Sequence, residues 1–408
     1  MVTVDSQEKI EPWGRHRRVI ELSTERGQGR KQLVRDGSIE VWSPRGLRGV
    51  EQLLLEALPR LDQGRVMSGL SSDGSVALVL ASENTGLELH DFQLDRYVAD
   101  KVERNFARNP FKNIEVKVGA SLAKLGSLYD VIALPFPQNG DRQLGHILLD
   151  QARRALRPGG VLYAATDATS DEWLRKAIKS SFMVQGTRLT GKRRRGYVWK
   201  VINRKPTQEP ERDRGHELDF VHEGATLRFR TEPAVFSFRG VDRGSLALLE
   251  SVRMRADERV LDIGCGYGLL GLTAARLAPA GEALLIDCNA RAAALARHNQ
   301  KLNEIHNARV ALRADGDQVE ELRGSFSLVL ANAPYGSGAR IANSFARRAS
   351  ELLAPRGRLA MVAKNREPLE RVVRAHFPHV VVRPRRSYWV IFGARQPDFP
   401  EREAPESS

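Results

Sequence analysis

Apolar and polar positions along this chain alternate in the pattern of strands followed by helices, and the pattern occurs twice. Residues 148–163 predict a helix, a Pro-Gly stop and an apolar strand, and residues 345–360 have the same order of features. An apolar closing strand follows each copy, at 196–202 and at 387–392. Such alternation predicts an α/β protein with two doubly wound domains in tandem, each a parallel sheet with helices on both faces.

The boundaries between the copies follow from composition. A chain of 408 residues suits two domains of roughly 200 residues each. Residues 206–214 are polar, contain proline and lack periodicity, which is typical of a linker. We therefore expect one domain at 1–205 and a second at 215–395, followed by a Pro- and Glu-rich tail at 396–408 that we expect to be disordered.

The charge balance narrows the possible partners. The chain has 64 Lys and Arg against 50 Asp and Glu, a net charge of +14, which favours RNA or DNA first and an anionic membrane second. Cys265 and Cys288 are the only cysteines, too few for a disulfide framework, so a reducing cytoplasm fits. No secretory signal precedes Arg15 and no apolar run approaches the roughly 20 residues that span a bilayer. These features predict a soluble, cytoplasmic protein with no membrane contact.

A glycine-rich motif marks a cofactor site in the second copy. An apolar strand runs into closely spaced glycines at 260–268, and a predicted helix follows at 269–277. Glycines suit a tight turn where a ligand approaches bare backbone. In the pattern Asp-x-Gly-x-Gly-x-Gly the third glycine does not have the spacing found in dinucleotide-binding proteins. This difference favours a cofactor without phosphates. The expected cofactor-binding residues of the motif are Asp262, Gly264, Cys265, Gly266 and Gly268.

Two acids extend the predicted site. Asp287 ends the next strand at the distance where an acid meets ribose hydroxyls in such folds. Asp315 ends the strand predicted at 308–315, a position from which it would accept a hydrogen bond from an adenine amino group. Either aspartate could instead be a helix N-cap. No cluster of histidines, cysteines or carboxylates has metal-ligand spacing, so no metal is predicted.

The fourth strand of the second copy ends in Asn332-Ala333-Pro334-Tyr335. This motif resembles the Asn/Asp-Pro-Pro-aromatic signature of class I methyltransferases that act on exocyclic or amide nitrogens. The chain most closely resembles the tandem-domain ribosomal RNA guanine-N2 methyltransferases of the small-subunit type. Residues 233–245 are similar to that family's segment ahead of the glycine motif. The resemblance implies two Rossmann-like methyltransferase domains, a degenerate N-terminal copy and S-adenosylmethionine as cofactor.

The chemistry explains why these residue types suit an amine substrate. The lone pair of an exocyclic amino group is delocalised into its ring, and two acceptors, the Asn332 side-chain oxygen and the Ala333 carbonyl, could orient that group. Tyr335 could stack on the base, and Asn332 would also border the cofactor. Ala333 stands where the family has its first proline. The change loses the fixed φ of proline but keeps the backbone carbonyl, and Pro334 still restricts the backbone of Ala333. The alternative is a dead site or a simple turn.

The first copy lacks these features. Its glycine pattern is absent at 66–76, and its next strand is predicted at 85–90, ending in His90 followed by Asp91. The predicted counterpart of the reacting motif is 133–136, which has no amide side chain. We therefore expect a non-catalytic domain that binds substrate or supports folding. A turn with consecutive cations would contact RNA phosphates or be a solvated loop; its residues are Lys192, Arg193, Arg194 and Arg195.

Together these features predict methyl transfer from S-adenosylmethionine to an exocyclic amino nitrogen, with guanine N2 of ribosomal RNA favoured. The expected partner is ribosomal RNA or a ribosomal subunit, and a monomer is favoured. Adenine-N6 and protein glutamine methylation fit the same acceptor pair. A further alternative is a non-catalytic RNA-binding or ribosome-assembly protein with a decayed site.

Overall fold

The computed structural model describes most of the chain, and its contacts divide the chain into two compact units. The described residues are 6–10, 16–20, 49–126, 128–190, 196–207, 209, 211–314, 320–334 and 339–397. Unit 1 is Met1–Asp213 and unit 2 is Arg214–Ser408. Each unit has its own seven-stranded sheet.

Unit 1 alternates strands and helices after an N-terminal hairpin that the hydrophobic pattern does not predict. The hairpin pairs β1 (Ser6–Ile10) with β2 (His16–Ile20) in antiparallel register. The sheet strands are β3 (Gly64–Gly69), β4 (Leu87–Gln93), β5 (Ile114–Val118), β6 (Tyr129–Pro135), β7 (Leu156–Thr166), β8 (Thr187–Thr190) and β9 (Tyr197–Ile202). The helices are α1 (Gly49–Ala57), α2 (Ser75–Glu83), α3 (Arg96–Ala107), α4 (Arg142–Ala155) and α5 (Glu172–Phe182).

Unit 2 repeats this order after a hairpin of its own. The hairpin strands are β10 (His216–His222) and β11 (Ala225–Thr231). The sheet strands are β12 (Arg259–Ile263), β13 (Glu282–Asp287), β14 (Ala308–Leu312), β15 (Phe326–Ala331), β16 (Leu353–Ala363), β17 (His379–Arg385) and β18 (Tyr388–Ala394). The helices are α6 (Arg243–Ser251), α7 (Leu269–Leu277), α8 (Ala290–Leu302), α9 (Ala339–Leu352) and α10 (Arg366–Arg374).

The two sheets have the same topology. The strand order is β5-β4-β3-β6-β7-β9-β8 in unit 1 and β14-β13-β12-β15-β16-β18-β17 in unit 2. In each sheet the first five strands are parallel, and the last two, a hairpin, add an antiparallel edge. The predicted fold class of two tandem doubly wound Rossmann-like domains is confirmed.

The sheets are buried on both faces, as parallel strands require. In β12, Val260 packs into one apolar cluster and Leu261 into the other, because successive side chains of a strand point to opposite faces. Helix α7 lies close to the sheet because Gly271 has no side chain, and a Cβ there would lie 2.5 Å from Cγ of Leu285. The continuous apolar runs that predicted these strands therefore reflect burial on two sides.

The predicted Pro-Gly stop between helix and strand does not occur as expected. Helix α4 ends at Ala155 and β7 begins at the next residue, so Pro158 and Gly159 lie within the strand. A shift in pairing register between β6 and β7 makes a bulge there. The bulge leaves Pro158 exposed, where its missing N–H costs no ladder hydrogen bond. In unit 2, β16 likewise begins directly after α9.

Two predicted strand ends are wrong. Strand β4 continues past His90 and Asp91 to Gln93, and Asp91 is completely buried. Strand β14 ends at Leu312, so it does not reach Asp315, which lies outside the described residues. In both cases the acid suggested a boundary in the sequence, whereas pairing with the neighbouring strand sets the real one.

The hairpin of unit 2 is attached to α8 by two asparagines one helical turn apart. The Asn299 amide accepts from the Arg230 N–H at 2.7 Å and donates to the Arg230 carbonyl at 2.9 Å. The Asn303 amide accepts from the Arg228 N–H at 2.8 Å and donates to the Arg228 carbonyl at 2.7 Å. Each side chain thus pairs with a residue of β11 as a neighbouring strand would. Asn299 also donates to the Tyr267 carbonyl at 2.8 Å, which connects the hairpin to the glycine motif.

Candidate functional site

The predicted site residues of unit 2 that the structure describes lie at the carboxyl ends of β12, β13 and β15. The strand order reverses between β12 and β15, since β13 and β14 lie on one side of this pair and β16 on the other. Open α/β sheets bind ligands in the crevice at such a point. The glycine motif leaves β12 at this edge and Asn332 leaves β15, so topology alone brings the two motifs together.

The three predicted glycines adopt backbone conformations that other residues avoid. Gly264, Gly266 and Gly268 have φ values of +75°, +58° and +96°. A Cβ on Gly266 would have no atom within 4 Å, whereas one on Gly264 would lie 3.2 Å from the Phe345 ring. The backbone of the motif at Gly266 therefore borders open space, as a ligand-binding turn requires.

Asp287 fixes the shape of this turn. Its carboxylate accepts from the Gly266 N–H at 2.9 Å through one oxygen and from the Asn289 N–H at 2.8 Å through the other. Cys265 contributes backbone rather than its thiol, since its N–H donates to the Ile286 carbonyl and burial raises the pKa of the thiol. The predicted acid therefore lies next to the turn, at the end of β13.

Asp262 lies beneath the turn. It is 1% exposed, and one carboxylate oxygen accepts from the Gly271 N–H at 2.8 Å, which joins β12 to the first turn of α7. Burial raises the pKa of Asp262 to about 7, while the Gly271 hydrogen bond opposes the shift. Its other oxygen has no hydrogen-bond partner among the described residues.

Asn332 has a fixed amide. Its Nδ2 donates to Oδ2 of Asp242 at 2.7 Å and to Oγ of Ser245 at 3.0 Å. Because a carboxylate only accepts, the NH₂ group must face Asp242, and Oδ1 of Asn332 points the opposite way. Asp242 is itself held as the N-cap of α6, where the same oxygen accepts from the Ser245 N–H at 2.8 Å.

Tyr267 belongs to the glycine motif, where it stands between Gly266 and Gly268. Its ring is buried and meets the Phe229 ring edge-on at 5.6 Å. Burial, and secondarily the charge of Asp242, raises the pKa of the Tyr267 hydroxyl, so it keeps its proton at neutral pH and can donate a hydrogen bond. No hydrogen-bond partner of this hydroxyl is found among the described residues.

The remaining predicted residues are placed only in part. Ala333 is buried and Pro334 is exposed at the end of β15. Tyr335, Asp315 and the basic turn 192–195 lie outside the described residues. In the described part of the chain no group of histidines, cysteines and carboxylates is arranged to hold a metal ion. None of its helices is long and apolar enough to span a bilayer.

The reacting motif of unit 2 has a different counterpart in unit 1 from the one predicted. Ser68 pairs with Ala133 in unit 1 as Asp262 pairs with Leu330 in unit 2. Ala133 and Leu330 are therefore equivalent positions of the two sheets. Pro135 therefore occupies the position of Asn332, and Pro137 that of Pro334, so 135–138 rather than 133–136 corresponds to the motif. The counterpart predicted from sequence was wrong because it aligned the Pro-aromatic pair of unit 1 with the Pro-aromatic pair of unit 2 without regard to strand register.

Sequence reasoning missed the residues that position the predicted ones. Asp242 and Ser245 fix Asn332, and Asn299 holds the carbonyl of Tyr267. An available signal for Asp242 was its place before the apolar helix α6, which is typical of an N-cap. That signal predicts that Asp242 caps α6 but not that it also accepts a hydrogen bond from Asn332.

Comparison with known proteins identifies the family. The family model described as methyltransferase small domain matches residues 37–188 and 226–392, more than half of the chain. The chain belongs to this family. Membership confirms the predicted class I methyltransferase family, which uses S-adenosylmethionine, and the match to both halves agrees with the duplicated sheet.

Curated relatives and a solved structure are similar to the chain. A ribosomal RNA small subunit methyltransferase C from Pseudomonas entomophila is 27% identical over 41% of this chain and 51% of the relative. The one from Hahella chejuensis is 25% identical over 61% of this chain and 72% of the relative. The chain spans about half the length of the first of these relatives. A 16S rRNA N2 methyltransferase from T. thermophilus, solved with AdoMet and guanosine, shares the fold with a TM-score of 0.71 and 21% identity, covering 96% of this chain and 98% of that one.

Proposed function

We propose that unit 2 transfers a methyl group from S-adenosylmethionine to an exocyclic amino nitrogen, the N2 of a guanine in ribosomal RNA. The observation that carries the proposal is the Asn332 amide, held by Asp242 at 2.7 Å beside the glycine motif. An amide fixed in this way presents its oxygen, an acceptor for an N–H of a substrate amine, at the edge of the sheet where α/β proteins bind ligands.

The residues present fit the cofactor. The open backbone at Gly266 gives space for a ligand to lie along the turn, and Asp287 lies at the end of the neighbouring strand. The buried Tyr267 hydroxyl and one Asp262 oxygen have no protein partner in the described part of the chain, so they suit a polar ligand. When bound, S-adenosylmethionine supplies an electrophilic methyl group on its sulfonium. Gly264, Cys265, Gly268 and Asp315 complete the proposed cofactor-binding set.

The residues at the end of β15 would orient the amine. The Asn332 oxygen and the Ala333 carbonyl would each accept one N–H of the amino group, which aims its lone pair at the methyl group. This is electrostatic preorganisation by fixed acceptors, so no general base is needed to raise the nitrogen's reactivity. Pro334 restricts the backbone of Ala333, and Tyr335 would stack on the target base.

An RNA substrate follows from charge and similarity together. The net charge of +14 favours a polyanion. Lys192, Arg193, Arg194 and Arg195 would contact phosphates. The relatives that match the chain are named as ribosomal RNA small subunit methyltransferases, so ribosomal RNA or a ribosomal subunit in the cytoplasm is the proposed partner, with the chain acting as a monomer.

The test is a transfer assay with radiolabelled S-adenosylmethionine on small ribosomal subunits and stripped ribosomal RNA from a strain lacking this gene. The wild-type chain is expected to label the RNA. Asn332→Ala is expected to abolish labelling and leave cofactor affinity within about twofold, because its amide contacts the substrate amine. Loss of cofactor affinity together with labelling would show that Asn332 is structural. Absence of labelling by the wild-type chain on both substrates would overturn the proposal.

A further inference from the structure

Unit 1 lacks the residues that form the cofactor half of the site in unit 2. Leu70 stands where unit 2 has Gly264 and keeps the positive φ, at +58°, which costs a leucine about 1–2 kcal/mol. Gln93 stands where unit 2 has Asp287, but its amide turns inward and donates to Asp91 at 2.6 Å and to the Ser71 carbonyl at 3.1 Å. Ser68 donates to the same buried carboxylate at 2.8 Å.

The other half of the unit 1 site remains open. A cavity of about 290 Å³ lies at the carboxyl ends of β6 and β7, next to the first turns of α4 and α5. This volume is near the lower end of small-molecule sites, about 300–1,000 Å³. Phe136 and Pro137 line the cavity, and they occupy the positions of Ala333 and Pro334 in unit 2. The cavity is therefore the counterpart of the proposed amine site.

Phe136 and Trp173 line one side of this cavity, and His146 packs behind Trp173. The rings of Phe136 and Trp173 lie 6.2 Å apart, and His146 meets Trp173 edge-on at 5.4 Å. Trp173 can lie against α4 only because Gly145 has no side chain, since a Cβ there would lie 2.5 Å from the indole ring. Phe136 is buried, so the partly exposed indole of Trp173 is the surface on which a nucleobase could stack.

Polar groups line the rest of the cavity. Thr166, Thr169 and Ser170 bring hydroxyl groups, and Gln138 brings an amide. These groups both donate and accept hydrogen bonds, as the edge of a base requires. Arg142 lies at the exposed mouth, in the first turn of α4 beside the N-cap Asp141, and its guanidinium carries the positive charge that a phosphate requires.

From this combination we infer that the cavity of unit 1 binds one unstacked nucleotide of the RNA substrate, without transferring a methyl group to it. The base would lie against Trp173, and its phosphate would face Arg142. Choosing RNA as the source of the nucleotide rests on the function proposed for unit 2. The duplication would thus have kept two base sites and one cofactor site, so that unit 1 anchors the RNA.

The test measures binding of the four nucleoside 5′-monophosphates to the full chain by NMR titration, followed at the indole signal of Trp173, so that binding at the guanine site proposed for unit 2 is read separately. Ala168→Trp places a large side chain in the cavity, and Ala107→Trp makes the same change at an exposed position on α3. At least one mononucleotide should bind, with affinity reduced tenfold or more in Ala168→Trp and unchanged in Ala107→Trp. Thr169→Trp, at an exposed position of the cavity rim, should behave like Ala168→Trp and serves where that variant unfolds.

A second readout separates this inference from the function of unit 2. With ribosomal RNA as substrate, the cavity variant should raise KM about tenfold and leave kcat nearly unchanged. Equal mononucleotide affinity in the cavity variants and Ala107→Trp would overturn the inference even where methylation is normal. If the wild-type chain methylates no RNA, the proposed function fails, whereas the mononucleotide titration still decides whether the cavity binds a nucleotide.

Discussion

The Asp242 carboxylate accepts a 2.7 Å hydrogen bond from the Asn332 amide, across 90 residues of sequence. Asp242 caps α6 and Asn332 directly follows β15, so the bond connects a helix start to the strand end where the substrate amine is proposed to bind. A hydrogen bond to a charged group contributes about 1.5–3 kcal/mol. It is therefore strong enough to select one orientation of the amide.

Asp242→Ser should test this positioning role. Serine can still cap the helix, but its shorter side chain cannot reach Asn332. We expect kcat for methyl transfer to fall about 10- to 100-fold, the loss of about 1.5–3 kcal/mol, with cofactor affinity unchanged. Ser245→Ala, which removes the 3.0 Å bond alone, should have the smaller effect. Wild-type kcat values in both variants would contradict the positioning role of Asp242.

The sequence predicts local parts of the site better than long-range ones. The glycine motif and α7 were predictable because tight turns and helices depend on neighbouring residues, and the predicted helix 269–277 matches α7 in both bounds. The Asp242–Asn332 bond was not, since no local pattern encodes a partner so far along the chain. The equivalence of Pro135 and Asn332 was also missed, because it depends on strand register rather than on residue type.

The glycine motif offers a matched pair of substitutions. Gly266 and Gly324 have similar φ values of +58° and +66°, and a Cβ on either would have no protein atom within 4 Å. Alanine at either position therefore costs the same backbone strain, about 1–2 kcal/mol. Gly266→Ala should weaken S-adenosylmethionine binding at least tenfold because its methyl group enters the cofactor's space, whereas Gly324→Ala should not. Calorimetric titration decides, and equal affinities would show that the cofactor does not lie along Gly266.

Asn299 should matter for the stability of unit 2. Asn299→Ala leaves the N–H and carbonyl of Arg230 and the carbonyl of Tyr267 without this partner. Unsatisfied buried groups of this kind predict a loss of about 2–4 kcal/mol in the free energy of unfolding. Lys301→Ala, at an exposed position of the same helix α8, should change it by less than about 0.5 kcal/mol. Urea unfolding of both variants provides the comparison, and similar midpoints would refute the role of Asn299.

Asp91 should make the stability of unit 1 depend on pH. Burial raises its pKa from 3.8 to about 7. The folded protein therefore retains a proton that the unfolded chain releases, so this contribution to stability decreases as pH rises from about 4 to about 7. Asp91→Asn should not show this decrease. Its free energy of unfolding, measured relative to that of the wild type, should therefore be higher at about pH 8 than at about pH 5. The control Asp62→Asn, at an exposed position, should have the same pH dependence as the wild type in urea unfolding. If Asp91→Asn also kept the wild-type pH dependence, Asp91 would not be its source.

The measurement that tests the central claim most directly is the identity of the methylated nucleoside. Ribosomal RNA labelled by the wild-type chain would be digested to nucleosides and separated by chromatography with mass spectrometry. The proposed site predicts N2-methylguanosine as the labelled product, absent after reaction with Asn332→Ala. Label in N6-methyladenosine, or in a protein of the ribosomal subunit instead of RNA, would contradict the assignment of the substrate.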